Sequence, residues 1–410
     1  MPKKLLILCD SPMSSTGLAR VARELSMGIY ENLSDVFEVG TLGVGGYISR
    51  SLPFYQRQAE IDNYAVTNLP GIWKDFAGDE NGILLTIWNA SWLGWLSHPE
   101  IMVKGCKLRN FLEEGKIETW AYVPIDSTGP LGLLPESQLA IISGFDRVLA
   151  YTKWAANLID DTARAYGANL RTDFIPHAAD RSIFYPRSRA EARARFFQST
   201  HIDCNKPLID DLYLIGVVAT NTERKDWALA FDVGEAMVRR GKKVGIWAHT
   251  NAMFNYWDLQ TLHKQYGMQG RVFFSTADLS DEDLAWSMAA CNVTLGIGRG
   301  EGWGLPISES MAMGIPCIAG RYSAPTEFVP RHCLVRPHAY YVEGIYGARR
   351  PVYLAEDWCD VILAAEGQPV KLGEQYYWDG ELGVWKRWEK WLREGLGEQD
   401  QAVADVQQAG

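Results

Sequence analysis

The hydrophobic positions of this chain form short continuous runs that alternate with longer amphipathic stretches. Such runs are typical of strands buried on both faces of a parallel sheet. They predict strands at 5–9, 37–42, 83–88, 118–123, 146–150, 212–219, 243–248, 271–275, 293–295 and 315–319. Helical spacing predicts helices at 17–30, 102–112, 153–166, 227–240, after Ser280 and at 376–396. The alternation of strands and helices indicates an α/β fold built on parallel sheets.

Length and composition narrow the class of protein. A chain of 410 residues suggests two domains, and 47% hydrophobic with 22% charged residues is typical of a globular protein. The net charge of −10 gives no global basic field for nucleic acid or anionic membranes. No apolar run is long enough to span a bilayer. The seven cysteines contain no C-x-x-C pair, so we expect a reduced, cytoplasmic protein without a metal framework.

One glycine-rich stretch, residues 296–320, combines a strand end, a loop and a helix start. It reads GIGRGEGWGLPISESMAMGIPCIAG. Glycines at every second position let the backbone approach a ligand, and Pro306 suits a first helical turn. Gly314 is placed to end the helix before the next strand. Because free N–H groups and the helix dipole favour negative charge, the stretch predicts an anion site.

Two carboxylates, Glu301 and Glu309, stand in this stretch with seven residues between them. A carboxylate beside an anion site is costly unless neutral donors, such as sugar hydroxyls, bond to it. Glu309 alone could serve the helix dipole, and Glu301 alone could be a solvated loop charge. Those explanations do not account for both residues flanking the segment GWGLP.

The segment EGWGLPISESMAMGIPCIAG resembles the E-x7-E signature of retaining GT-B glycosyltransferases, close to the GT4 family. Trp303 stands for the usual Phe, and Ser310 for the usual Ala. The resemblance implies two Rossmann-like doubly wound domains facing a cleft. We expect an acceptor-binding domain at 1–186 and a nucleotide-sugar-binding domain at 187–372. A helix at 373–396 would cross back to the first domain, and 397–410 would be a flexible tail.

The same resemblance implies a reaction. A hexose-type sugar would pass, with retention, from a UDP- or GDP-sugar to a hydroxyl of a glycan, lipid-linked or small-molecule acceptor. The donor is a substrate; no cofactor or metal is implied. The residues that the resemblance assigns to the donor are Gly17, Asn221, Gly302, Trp303, Gly304, Leu305, Glu309 and Glu327.

Four residues are candidates for catalysis. Glu301 would hold sugar hydroxyls, and Arg224 with Lys225 would offset the charge of the leaving diphosphate. The family lysine usually precedes a glycine, whereas Asp226 follows Lys225 here. A surface or capping role stays open for Arg224. Asp126 follows a predicted strand and would face the cleft, or form an Asx turn before Gly129.

Other features have competing interpretations. A tight turn is the alternative for Gly17. His177, in place of the family's Asn, suggests a structural role. The D-x-D triplet Asp281–Asp283 follows Ser280, a good N-cap, and predicts a helix start, not a metal site. The stretch 334–353 has no clear pattern, and the 16 tryptophans cannot be divided between core and ligand contact.

Two alternative functions stay open. The first is glycosylation of hydroxymethylated pyrimidines in DNA, suggested by three cations and three tryptophans: Lys104, Lys107, Arg109, Trp88, Trp92 and Trp95. Residues 1–180 carry 15 Lys and Arg against 21 Asp and Glu, so charge does not favour nucleic acid as the acceptor. The second is a non-enzymatic GT-B subunit that binds a sugar nucleotide.

Overall fold

The computed structural model describes residues 1–59, 65–97, 100, 102–103, 106–202, 209–344 and 347–396. Lys104 and the expected tail 397–410 lie outside these residues. The chain divides into two compact units. The first contains 1–125, 131–176 and the residues from 384 onward, and the second contains 126–130 and 177–383.

The first unit is built on a parallel sheet. Its strands are β1 Lys3–Asp10, β2 Phe37–Val44, β3 Tyr55–Ala59, β4 Gly82–Ile87, the hairpin strands β5 Met102–Val103 and β6 Cys106–Lys107, β7 Ile117–Val123, β8 Arg147–Ala150 and β9 Asp173–Phe174. Its helices before residue 177 are α1 Gly17–Asn32, α2 Leu69–Ala77, α3 Gly94–Ser97, α4 Leu108–Glu114, α5 Glu136–Ile142 and α6 Lys153–Ala165, with a 3₁₀ turn at Ala90–Trp92.

The sheet of the first unit has the order β3-β2-β1-β4-β7-β8-β9, with every pairing parallel. Lys3 pairs with Phe37 on one side of β1, and Lys4 pairs with Gly82 on the other. The strand order reverses between β1 and β4. Both strands are buried along most of their length, which explains their continuous apolar runs.

The second unit repeats this plan. Its helices are α7 Arg189–Ser199, α8 Trp227–Arg239, α9 Leu259–Gln265, α10 Asp281–Ala289, α11 Leu305–Ala312, α12 Pro325–Phe328 and α13 Ala355–Ala365. Its strands are β10 Tyr213–Val218, β11 Val244–His249, β12 Val272–Ser275, β13 Val293–Gly296, β14 Cys317–Gly320, β15 Leu334–Val335, β16 Ala339–Glu343 and β17 Ala348–Val352, with 3₁₀ turns at Arg331–Cys333 and Glu374–Tyr376.

The main sheet of the second unit has the order β12-β11-β10-β13-β14-β15, again all parallel. This is the strand order of a dinucleotide-binding Rossmann unit, and it reverses between β10 and β13. Loops that leave the carboxyl ends of two such strands diverge and open a crevice for a ligand. Here those loops are 219–226 and 297–304.

The last described helix, α14 Val384–Glu394, belongs to the first unit. The buried rings of Trp388 and Trp391 pack edge-on against Tyr122 and Trp120, with centroids 4.9 and 5.0 Å apart. The Arg147 guanidinium lies over the Trp391 ring at 4.2 Å and donates to its carbonyl at 3.1 Å. The periodic tryptophans of this helix therefore serve packing.

Three segments differ from the hydrophobic pattern. Residues 102–112 were expected to be one helix, but β5 and β6 form a hairpin and the helix α4 begins only at Leu108. Residues 55–59, where the pattern predicts no strand, form the edge strand β3, and 334–353 contains three strands. In each case the strands are short and pair at an edge or in a hairpin, so they show no continuous apolar run.

One further expectation, the helix start after Ser280, is confirmed. Ser280 caps α10 by accepting from the Asp283 amide at 3.0 Å, so the D-x-D triplet begins a helix. The described thiols of Cys9, Cys291, Cys317, Cys333 and Cys359 are free and buried. Among the described helices, none has the length and apolar character needed to cross a bilayer.

Candidate functional site

Two loops meet where the strand order of the second unit reverses. Loop 219–226 leaves β10, and loop 297–304 leaves the neighbouring strand β13. Their backbones pair through an antiparallel bridge between Lys225 and Gly298, and the Arg299 amide donates to the Arg224 carbonyl at 2.9 Å. The loops are therefore fixed to each other.

Asn221 holds a third loop onto this pair. Its fully buried amide donates to the carbonyls of Ala252 and Trp257 at 3.1 and 2.8 Å, and it accepts from the Trp257 amide at 2.9 Å. The Trp257 indole in turn donates to the Lys225 carbonyl at 2.9 Å. The Asn221 backbone is also engaged, since its amide donates to Asn251 Oδ1 and its carbonyl accepts from Asn255 Nδ2, each at 2.8 Å. Asn221 thus shapes the loops, and its predicted contact with a donor stays a prediction.

The glycine loop ends in a helix start, as the sequence predicts. Gly304 has φ of +96° and caps α11, and Pro306 lies in the first turn. Gly314, with φ of +73°, follows the helix end. The first N–H groups of α11 therefore begin beside the loop that carries Glu301, as an anion site requires.

Glu301 is the centre of a buried charge cluster. Its side chain is 8% exposed and accepts from the Lys225 ammonium through Oε1. Its Oε2 accepts from Arg224 Nη1 at 2.8 Å, and the same nitrogen donates to the Gly300 carbonyl at 2.5 Å. Two cations adjacent in sequence therefore share one carboxylate at the crevice.

Burial and the two cations act in opposite directions on Glu301. Burial raises the pKa of the carboxyl, but the charges of Arg224 and Lys225 outweigh it and lower that pKa to about 2. Burial lowers the pKa of Lys225, with Glu301 opposing, whereas for Arg224 the carboxylates overcome burial and raise the pKa. Glu301 is thus ionised at neutral pH and acts as a hydrogen-bond acceptor, not as a proton donor.

Asp126 joins the same cluster. It belongs to the second unit, and its Oδ2 lies 3.4 Å from Arg224 Nε. Its Oδ1 accepts from Arg350 Nη1 at 3.0 Å, and Arg350 Nε donates to Glu343 at 2.6 Å. The structure therefore brings Asp126 and Glu301 together with the adjacent pair Arg224 and Lys225, from three distant parts of the sequence.

Gly300 has no room for a side chain. Its φ is +136°, and a Cβ there would lie 2.2 Å from the Asp126 carbonyl oxygen and 2.9 Å from Arg350 Nη1. We expect Gly300→Ala to lower the free energy of unfolding by roughly 3 kcal/mol or more, through backbone strain plus overlap. Urea titration measures this loss.

Gly314→Ala is the matched control for Gly300→Ala. Gly314 also has positive φ, but a Cβ there would meet no atom within 4 Å. Its expected cost is only about 1 kcal/mol, from the backbone conformation. Equal losses in the two variants would contradict the tight contact around Gly300.

The other predicted donor residues have varied environments. The Trp303 side chain is buried, stacks on Phe328 with centroids 4.4 Å apart, and donates to Ser308 at 3.1 Å. Its ring is a packing group, so the predicted contact of Trp303 with a donor would come from its backbone. Glu309 is 1% exposed in the middle of α11, and Glu327 is half-buried in α12.

Three more predicted donor residues differ in exposure. Gly302 is half-buried in the loop before α11, and Leu305 is buried as the first residue of that helix. Gly17 is the exposed first residue of α1, in the first unit.

Sequence reasoning missed two arginines near the site. Arg350 lies in the stretch 334–353, where no pattern was recognised. Arg299 binds Asp226 through Nε and Nη2 at 2.9 and 2.8 Å and donates to the Tyr341 hydroxyl at 3.1 Å. Its position within the glycine loop, one residue before Gly300, was the available signal.

The crevice is narrow in this conformation. Its wall includes Ala219, Lys225, Glu301, Gly304 and Pro306, and the enclosed space is about 20 Å³, enough for one water-sized group. The described residues contain no group of three or more His, Cys, Asp or Glu side chains that could hold a metal ion.

The DNA alternative requires free cations beside exposed tryptophan rings, and the described residues named for it are placed differently. Trp88 and Trp95 are buried in the core of the first unit, and only Trp92 is exposed. Lys107 pairs with Glu100 at 2.6 Å, and Arg109 with Glu113 at 2.8 Å. No described feature here combines free cations with exposed aromatic rings.

Solved structures resemble this chain over its whole length. HepE of Anabaena in complex with UDP and glucose has a TM-score of 0.61 at 14% identity, covering 98% of this chain and 95% of that one. Sucrose-phosphate synthase of Thermosynechococcus elongatus has a TM-score of 0.59 at 14% identity, covering 96% and 99%. The fold is GT-B.

A third solved structure resembles this chain to a similar degree. The UDP-forming α,α-trehalose-phosphate synthase of Burkholderia xenovorans has a TM-score of 0.60 at 12% identity, covering 100% of this chain and 98% of that one. No protein-family model matches the sequence, and the search of curated proteins finds no match. The expected pair of Rossmann-like domains is confirmed at the level of fold.

Proposed function

We propose that this GT-B chain is a retaining glycosyltransferase of the GT4 type. It would move a hexose-type sugar from a nucleotide-diphosphate sugar to a hydroxyl acceptor. The observation that carries the proposal is the cluster of Glu301, Arg224 and Lys225 at the strand-order reversal of the second unit. Its position is where a Rossmann unit binds phosphates.

Each charged group has a defined role in the proposed reaction. Arg224 and Lys225 stabilise the diphosphate as it leaves, together with the N–H groups at the start of α11. Glu301, released from part of its ion pairing, accepts hydrogen bonds from sugar hydroxyls. Asp126 lies at the same cluster, and in this proposal it faces the transferred sugar.

The remaining predicted residues complete the donor site in this proposal. Glu309 accepts from ribose hydroxyls, Glu327 closes the pocket, and Gly17 approaches the phosphates. Asn221 shapes the loop that carries Arg224 and Lys225, and Gly302, Trp303, Gly304 and Leu305 contribute backbone groups. A UDP-sugar is the favoured donor, since similar structures hold UDP or UDP-glucose. GDP-sugars stay an alternative.

Retention in this proposal requires no enzyme nucleophile. The departing phosphate takes the proton of the acceptor hydroxyl on the same face of the sugar. The buried thiols agree with this, because burial raises the pKa of Cys291 and of Cys317 to about 12 and leaves them unreactive. Metal independence and a cytoplasmic location remain parts of the proposal.

Nucleotide binding is the first test. We expect UDP or a UDP-sugar to raise the unfolding temperature by several degrees, because a ligand at a hundredfold excess over its Kd adds about 2.7 kcal/mol. Thermal unfolding with UDP, GDP and ADP measures this effect. Equal midpoints with and without all three nucleotides would contradict the proposed donor site.

Release of UDP from a UDP-sugar then separates an enzyme from a binding subunit. We expect slow release without acceptor and faster release once a suitable hydroxyl is supplied. Nucleotide binding without any release would favour the non-enzymatic alternative. A rate that falls steeply with added salt would instead favour DNA as the acceptor.

A further inference from the structure

The hairpin of β16 and β17 binds the segment Asp126–Pro130 along its edge. The Arg349 amide donates to the Thr128 carbonyl at 2.6 Å, as in an antiparallel strand pair. The Thr128 amide donates to the Tyr322 hydroxyl at 3.0 Å, and that hydroxyl donates to the Arg349 carbonyl at 2.5 Å. The hairpin therefore fixes the backbone that carries Asp126.

Arg350 extends this hold to the side chain of Asp126. It lies opposite Tyr341 in the hairpin, and its side chain is 9% exposed. Its guanidinium donates in two directions, to Asp126 Oδ1 at 3.0 Å and to Glu343 Oε2 at 2.6 Å. A planar group held by two carboxylates has a defined orientation.

Arg350 is one member of a series of ion pairs that link carboxylates and cations in turn. Glu343 binds Arg350, Arg350 binds Asp126, Asp126 approaches Arg224, and Arg224 with Lys225 binds Glu301. The three cations balance the three anions. Without Arg350, Arg224 would be the remaining cation beside Asp126 in this series of ion pairs. Asp126 would then attract the Arg224 guanidinium away from Glu301.

We propose that Arg350 is a positioning residue for the site. By holding Asp126 it keeps the Arg224 guanidinium on Glu301, where the sugar and its leaving group are bound. The carboxylates overcome the effect of burial and raise the pKa of Arg350, so its charge is permanent. This inference rests on the proposed function, and it assigns a role to the hairpin β16–β17.

The test compares Arg350 with its neighbour in the same strand. We expect Arg350→Ala to lower kcat for UDP release by about 100-fold, the effect of misplacing reacting groups by about 1 Å. The KM for the donor should change much less, because Arg224 and Lys225 remain. Arg349→Ala is the matched control, since the backbone pairing with Thr128 remains, and it should keep the parental kcat.

A second design covers loss of folding and tests the route of action. Arg350→Gln with Glu343→Gln removes one charge of each sign, and it should fold and show the same loss of kcat. In an Asp126→Asn background, Arg350→Ala should cause no further loss, because the two residues act through one contact. Additive losses would overturn the positioning role.

The outcomes separate this inference from the proposed function. If the parent releases UDP and the Arg350 variants match Arg349→Ala, the positioning role is wrong and the function stands. If the folded parent neither binds nor turns over UDP-, GDP- or ADP-sugars, the proposed function itself is wrong.

Discussion

Glu301→Gln is expected to lower kcat/KM for sugar transfer by about 10²- to 10³-fold, the loss typical for one preorganised electrostatic contact. Glutamine keeps the size of the side chain but has only one acceptor oxygen. Arg224 and Lys225 each donate to a separate carboxylate oxygen in the parent, so one cation loses its acceptor. The remaining amide also presents N–H groups to a positive site. UDP release at several donor concentrations measures the effect.

Glu282→Gln is the matched control for Glu301→Gln. Glu282 pairs with Arg187 at 2.7 Å, but its side chain is 53% exposed on α10 and lies outside the charge cluster. We expect this variant to retain parental activity. Near-ultraviolet circular dichroism should show the same tertiary packing in both variants. Parental activity of a folded Glu301→Gln protein would disprove the assigned role.

Mild acid is expected to destabilise the chain through two histidines, the buried His177 and the half-buried His249. Burial lowers the pKa of His177 to about 3, and burial, opposed by a hydrogen bond with Ser275, lowers that of His249 to about 4. Both imidazoles stay neutral in the folded state while the unfolded chain takes up protons near pH 6.5. Their stability contribution is therefore complete above pH 6.5 and is lost as the pH falls towards the folded values. By pH 5 each histidine should cost about 2 kcal/mol.

His177→Asn tests this expectation. Urea unfolding of parent and variant between pH 7.5 and 5 should show a smaller decline in the variant, by about 2 kcal/mol. The His177 ring packs against Trp303, with centroids 6.0 Å apart. Because the comparison uses the dependence of the unfolding free energy on pH, a constant cost of losing this packing cancels. His338→Asn removes an exposed histidine and serves as the control. Identical slopes in the parent and His177→Asn would contradict the assignment.

Glu301 acts in a lower pH range than the histidines. Its folded pKa of about 2 lies below its unfolded value, so its stabilising effect is complete above pH 4.5. That effect is lost as the pH falls from 4.5 towards 2. A decline that begins near pH 6.5 therefore reports the histidines.

The central strands and the glycine loop could be predicted from sequence because each has a local cause. The runs at 5–9 and 83–88 are apolar since β1 and β4 are buried on both faces, and Gly304 and Pro306 mark the start of α11. Ser280 likewise marks α10 by its capping hydroxyl. These signals lie within a few residues of the feature they predict.

Other features depend on contacts between distant residues. Arg350 meets Asp126 across 224 positions, and no local pattern in 334–353 indicates that pairing. Trp303 stands where the E-x7-E family usually has Phe, yet only tertiary packing shows that its ring stacks on Phe328. The placement of Arg224 on Glu301 also required the structure. The expected domain boundaries and the roles of individual site residues stay predictions.

The return of α14 to the first unit means that this unit is not one continuous segment. No single cut in the chain can release it whole. A fragment ending at residue 176 would lack the helix that covers Trp120 and Tyr122, two large rings that are fully buried in the intact chain. Such a fragment would expose an aromatic surface that is prone to aggregation. A separate peptide of residues 384–396 should bind to this surface and cover it again.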